Sequence, residues 1–153
     1  MITKRQIDPG ALGIEDVDMQ AVVNTKYTSN ILDVRQHFNY TAIITITETG
    51  APTVGDAKLT VRVIGNDPDE TILYERDVVT GLTTIVDTSA AAQANIREVV
   101  TFGAGNASVA DPATVGTNAE IFKLAERIQL VLEITTVNDG TTSTASVTLL
   151  MGS

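Results

Sequence analysis

The 153-residue chain has no cysteine and no tryptophan, which excludes disulfides, thiolate metal sites and cysteine nucleophiles and leaves the redox compartment open. It has one histidine, His37, so a Ser-His-Asp arrangement would have to be built there, and the residues around it carry no nucleophile signature. A lone histidine on a segment entering a strand is a satisfied or solvated side chain. No catalytic residue is assigned, and the chain is read as a non-enzyme. Aromatics make up 4% of the residues, too few for a platform on which bases or sugars stack. Basic residues number 10 against 19 acidic ones, for a formal net charge of −9. The basic residues are scattered, so no nucleic-acid partner is expected. No run approaches the ~18 apolar residues of a membrane helix, and nothing behind Lys4 and Arg5 resembles the apolar core of a signal peptide. A soluble chain with no membrane partner is expected.

What is present is strand chemistry. The chain is rich in Thr, Val and Ile and punctuated by 11 Gly and 4 Pro, a mixture that favours sheets over helices. Its length suits one domain that buries roughly two thirds of the surface of the extended chain. The firmest stretch is Arg127 to Met151. Ile128, Leu130, Leu132 and Ile134 alternate with Gln129, Val131, Glu133 and Thr135, and after Asn138-Asp139-Gly140 the alternation resumes at Ala145, Val147, Leu149 and Met151. An Asp-Gly turn between two alternating runs predicts a β-hairpin. Earlier, Phe38, Tyr40, Ala42, Ile44 and Ile46 mark a long strand, and Thr49-Gly50-Ala51-Pro52 a turn. A second strand through Leu59, Val61 and Val63, antiparallel to the first, leads to the turn Gly65 to Asp69 and a third strand through Ile72 and Tyr74.

Residues 1–30 hold few large apolar side chains, without a sustained period, and Pro9-Gly10 and Gly13 interrupt them. They predict an extended N-terminal arm outside the core, with the sandwich domain spanning 31–153. In that arm Ile2, Lys4, Arg5 and Ile7 are the candidate partner-binding residues, the isoleucines entering apolar notches while the cations meet carboxylates. On this reading the arm can be removed without unfolding the rest. The small-residue stretch from Gly103 to Gly116 is a flexible loop, and Thr117-Asn118-Ala119-Glu120 has the form of a helix capping box. Asp67, Asp69 and Glu70 lie close enough in sequence to invite a calcium ion, but Pro68 interrupts them and the spacing of a full binding loop is missing. A solvated turn is expected, with no metal and no cofactor. Asn39-Tyr40-Thr41 and Asn106-Ala107-Ser108 match the glycosylation triplet and are set aside as chance matches.

Two segments carry a family likeness: Ala57 to Leu73 (AKLTVRVIGNDPDETIL) and Ala125 to Leu150 (AERIQLVLEITTVNDGTTSTASVTLL). They resemble the small β-sandwich structural proteins of tailed bacteriophages, notably capsid decoration (cement) proteins and related head or tail accessory domains. The opening ITKRQIDPGALG is similar to leading segments of phage fibre and adhesin proteins. The resemblance covers about half of the chain and implies a virion surface protein, commonly a homotrimer, seated on the major capsid protein. The resulting expectation is an all-β fold: a single antiparallel β-sandwich, with the jelly roll as its candidate topology. The leading functional reading is a capsid decoration protein that stabilises the shell; the alternative is a host-recognition or carbohydrate-binding domain of a phage fibre or tail.

Overall fold

Strand β5 (Asn39–Thr49) shows the rule by which the sequence builds the molecule. Tyr40, Ala42, Ile44 and Ile46 are buried while Thr45 and Thr47 face solvent, the period of two expected of a strand with one side on a core. The computed structural model describes residues 4–49, 55–82, 93–103, 122, 124–137 and 142–152. Within them β6 (Asp56–Ile64), β9 (Arg127–Thr136) and β10 (Thr142–Gly152) obey the same rule. Leu59 and Val61, then Ile128, Leu130, Leu132 and Ile134, then Ala145, Val147, Leu149 and Met151 all enter one core. Shorter pieces complete the order: β1 (Lys4–Ile7), the single helical turn α1 (Pro9–Leu12), β2 (Val17–Asp18), β3 (Lys26–Thr28), β4 (Leu32–Asp33), β7 (Ile72–Val79) and β8 (Gln93–Gly103).

Two antiparallel sheets pack face to face. One runs β1-β10-β5-β8, with β2 also on β10, and the other runs β3-β9-β6-β7, with β4 also on β9. Taking β1 with β2, and β3 with β4, as one interrupted strand each gives eight strands, ordered first-eighth-third-sixth and second-seventh-fourth-fifth. That is a jelly roll, so the all-β sandwich and its candidate topology are both observed. The register of β10 on β5 is unbroken from Thr142↔Thr49 to Gly152↔Asn39, which keeps the two apolar sets on the same side.

Three expectations need correction. Arg127 to Met151 is not a hairpin, because β9 pairs with β3, β4 and β6 while β10 pairs with β1, β2 and β5. The two strands sit in opposite sheets and face each other through the core. Alternation fixes which side of a strand is buried but leaves the hydrogen-bonding neighbour open, and the Asn138-Asp139-Gly140 segment lies outside the described residues. The same holds for β5 and β6, which follow one another in the chain and also belong to different sheets; the hairpin that does form is β6 with β7.

The third correction concerns residues 1–30. Much of the segment is extended, yet Ile7, Leu12, Ile14 and Met19 belong to the central core. Pro9 opens α1, Gly13 closes it in the left-handed region, and beyond it Val147 N–H donates to Ile14 O. Asn30 then ties the two sheets together, its amide N–H donating to Leu12 O at 2.8 Å and its Nδ2 to Ala11 O at 3.0 Å. The segment is the first strand of one sheet and the start of the first strand of the other, so the boundary at residue 30 does not separate two units.

Leu132 is fully buried whereas its neighbour Glu133 lies on the outer face, held by Lys58 at 3.5 Å and Lys26 at 4.0 Å. Leu132→Ala is therefore expected to cost about 2 to 5 kcal/mol and Glu133→Ala about 1 or less. Equal losses in denaturant unfolding would contradict this assignment of faces.

Candidate partner-binding site

Positive charge gathers at one end of this acidic molecule. Lys4 and Arg5 open β1 on the edge of its sheet, and both are exposed. The β4–β5 connection brings Asp33, Arg35, Gln36 and His37 to Arg5, and these five residues line one polar hollow of about 380 Å³. The connection is tightly built. Arg35 Nε donates to both carboxylate oxygens of Asp33, at 3.0 and 3.1 Å, and the Arg35 amide donates to Asp33 Oδ1 at 3.1 Å. This Asx turn holds the guanidinium in place. The Arg35 hydrogen bonds, with smaller electrostatic help from Arg5, pull the Asp33 carboxyl down to about 2.

From the core, Tyr40 Oη donates to His37 O at 2.7 Å, and burial raises the Tyr40 pKa, so the phenol stays a donor. His37 N–H closes on Val34 O at 2.9 Å, and Val34, wholly buried, donates to Glu126 O at 2.8 Å. Gln36 adopts a positive φ of 73° to complete the turn.

Beneath this loop the scarce aromatic residues converge. Tyr40 and Phe102 stack with centroids 5.2 Å apart, Phe122 lies 5.7 and 5.8 Å from those two rings, and Tyr74 meets Phe122 edge-on at 6.5 Å. Rings at these separations pack well beyond their area alone. Low aromatic content is thus compatible with a buried cluster. An open depression of about 680 Å³ continues from Lys4 and Arg5 across this end of the sheet to Leu150, Thr41 and Thr101.

The outer faces of the two sheets differ in charge. On the β9-β6-β7 side, Lys58 bridges Glu133 and Asp77, Arg62 pairs with Glu75, and Arg127 reaches Glu70 at 3.5 Å. On the β10-β5 side the outward row reads Thr144, Ser146, Thr148 and Leu150 against Thr41, Ile43, Thr45 and Thr47, without a formal charge. Val99, on neighbouring β8 and opposite Ile43, is 53% exposed. Charge returns at the margins, with exposed Arg97 of β8 opposite Thr45 and exposed Asp18 of β2 opposite Thr144, so it is the two central strands that can meet another surface with little desolvation of charge.

Of the residues proposed from sequence, Lys4 and Arg5 stand at this end, Ile7 does not, and Ile2 lies outside the described residues. Ile7 is only 6% exposed and packs in the core, so its apolar side chain is unavailable to a partner. Two residues after Arg5 on the strand, it lies on the same side of the sheet but farther from the end, where it joins the core. Asp33, Arg35 and Gln36 were missed, although Asp33-Val34-Arg35 carries the spacing of an Asx turn. At the other turn, Asp67 accepts from the Thr71 amide and hydroxyl, which lowers its pKa, and Glu70 faces Arg127. Among the described residues no three metal-binding side chains come together. The Thr117-Asn118-Ala119-Glu120 capping box, and Gly103 to Gly116 beyond its first residue, lie outside the described residues.

No family model matches the sequence, and no curated protein matches it. Solved structures do match in fold. A structure of infectious bursal disease virus, Gx strain, superposes with a TM-score of 0.56 at 12% identity, over 99% of this chain and 32% of that one. The T13 viral particle of the same virus gives 0.53 at 12% identity, over 99% and 31%, and its VP2 subviral particle 0.52 at 13% identity, over 99% and 32%. The chain spans about a third of the length of these viral chains. At such identities the likeness is one of fold.

Proposed function

We propose that the chain is a virion structural protein, a capsid decoration (cement) protein that seats on the major capsid protein as a homotrimer and stabilises the shell through contact area. The observation that carries this reading is the outer face of the β1-β10-β5-β8 sheet, free of formal charge along its two central strands, in a jelly roll, an architecture that viral capsids use. Four strands spaced ~4.8 Å apart, with up to eleven residues at ~3.4 Å, present roughly 700 Å². A standard protein interface takes about 800 Å² from each partner. The solved capsid structures of like fold, and the phage resemblance of residues 57–73 and 125–150, support the same direction. The charged outer face of the opposite sheet suits exposure to solvent on the particle.

Copy number tests the proposal. In purified particles a decoration protein is expected at a level close to that of the major capsid protein on a stained gel. A handful of copies per particle would instead place the chain on a fibre or tail, and its absence from particles would end the virion reading.

A further inference from the structure

We propose that the hollow formed by Arg5, Arg35, Gln36 and His37 is a carboxylate-binding site. The proposal does not rest on the virion reading: a chain that never meets a capsid would still bind a carboxylate there.

Three observations carry it. First, the hollow of about 380 Å³ is polar and is lined by Arg5, Arg35, Gln36 and His37 together with Asp33 in a molecule whose formal net charge is −9. Arg62 and Arg127 pair with acidic neighbours on the opposite sheet, and Arg35 pairs with Asp33. Arg5, by contrast, is exposed on β1 and makes no ion pair among the described residues, acting on Asp33 only at longer range.

Second, His37 is 8% exposed and its Nδ1 has no hydrogen-bond partner among the described residues. Native structures rarely leave a buried ring nitrogen unpaired without a reason. Acting as a donor, Nδ1 would be satisfied by an anion in the hollow.

Third, the parts are held before any ligand arrives. The Asx turn at Asp33 fixes Arg35, and Tyr40 Oη anchors the His37 carbonyl from the core, so little ordering remains to be done on binding.

Charge decides which anion fits. Two arginines against the ionised Asp33, with Glu126 also acting on Arg35, leave at most a single unit of positive charge, which suits a monoanionic carboxylate better than a phosphate dianion. A planar carboxylate also matches the fork of a guanidinium.

The single histidine supplies the assay, because its imidazole proton resonances are unambiguous in the full-length protein. Sodium acetate titrated at constant pH and ionic strength is expected to move the His37 resonances along a saturating curve with Kd on the order of millimolar. Arg5→Gln and Arg35→Gln are each expected to weaken acetate by ~10-fold or more. Arg5→Gln should leave thermal unfolding unchanged, because the β1 pairing is made by backbone.

The source of the natural carboxylate is read in the same experiment. If the resonances also move with protein concentration and acetate reverses that movement, an acidic group of a second copy occupies the site. If they are independent of protein concentration, the carboxylate belongs to another molecule. Either result with saturable acetate binding supports the site. A response that is linear, equal with chloride, or unchanged in Arg5→Gln would overturn it, and tighter binding of phosphate than of acetate would overturn the assignment to a carboxylate.

Discussion

Removing residues 1–20 is expected to abolish folding. That segment supplies β1 and β2, the edge of one sheet along β10, and four residues of the central core, Ile7, Leu12, Ile14 and Met19. Burying a large apolar side chain is worth ~1.5 to 3 kcal/mol, so the four together contribute about 6 to 12 kcal/mol. A domain of this size has a total stability of about 5 to 15 kcal/mol. The deletion also exposes the edge of β10 and leaves backbone groups of that strand without partners, including the Ser143 carbonyl that accepts from Met19 and the Val147 amide that donates to Ile14. The shortened chain should lack a cooperative thermal transition by circular dichroism and sediment as aggregate. A monomeric shortened chain with a transition near that of the full protein would mean that the segment is a separable arm after all.

The reason this segment was illegible lies in how its strands are broken. In β5, β6, β9 and β10 the backbone ladder is regular, so side chains alternate and the buried set can be read directly from the residues. The first strand instead leaves the ladder after Ile7, makes the turn α1, and rejoins β10 through Val147 and Ser146, where Asp16 N–H donates to the serine Oγ at 2.9 Å. The strand made of β3 and β4 is interrupted in the same way at Ser29. There the Leu130 amide donates to Ser29 Oγ at 2.9 Å, and the Ser29 amide to Leu130 O at 2.8 Å. Side-chain oxygens thus stand in for ladder positions, and the period of two disappears although the strand's role persists. Pairing was illegible for a different reason: neither Asp-Gly nor alternation distinguishes a hairpin from an arch that crosses between sheets. At the candidate site, Lys4 and Arg5 could be picked out by charge, but their meeting with Asp33, Arg35 and His37 depends on β1 starting and β4 ending at the same end of the sandwich. Sequence separation hides that neighbourhood until the topology is known.

Gly103→Ala is the point substitution expected to damage the molecule most for its size. Read from sequence, Gly103 opens a flexible small-residue loop; in the structure it ends β8 with φ of +116° and is buried opposite Asn39. A methyl group there would stand 2.2 Å from Phe38 O and 3.0 Å from the Phe38 carbonyl carbon. Those atoms are backbone and cannot rotate away, and Phe38 is itself tied to Gly152 O by its amide at 3.1 Å. The substitution must therefore either open the end of the β5–β8 ladder or force β5 away from β10. The next pair along the ladder is Tyr40 with Phe102, so the loss spreads to the aromatic stack and to the hydroxyl that anchors the His37 loop. Strain at a positive φ together with this clash predicts a cost of about 2 to 5 kcal/mol. Gly10→Ala provides the contrast, because the added methyl meets only Glu15 Oε2 at 3.0 Å, the mobile end of an exposed side chain. At that helical position alanine is the better residue, and stability should change by less than about 1 kcal/mol. Denaturant unfolding of the two variants decides the matter, with the His37 resonances as a second readout expected to move in Gly103→Ala and stay in place in Gly10→Ala. If the two variants lose equally little, the close approach of Gly103 to Phe38 does not constrain the fold, and the end of the sandwich that carries the carboxylate site is looser than its hydrogen bonds imply.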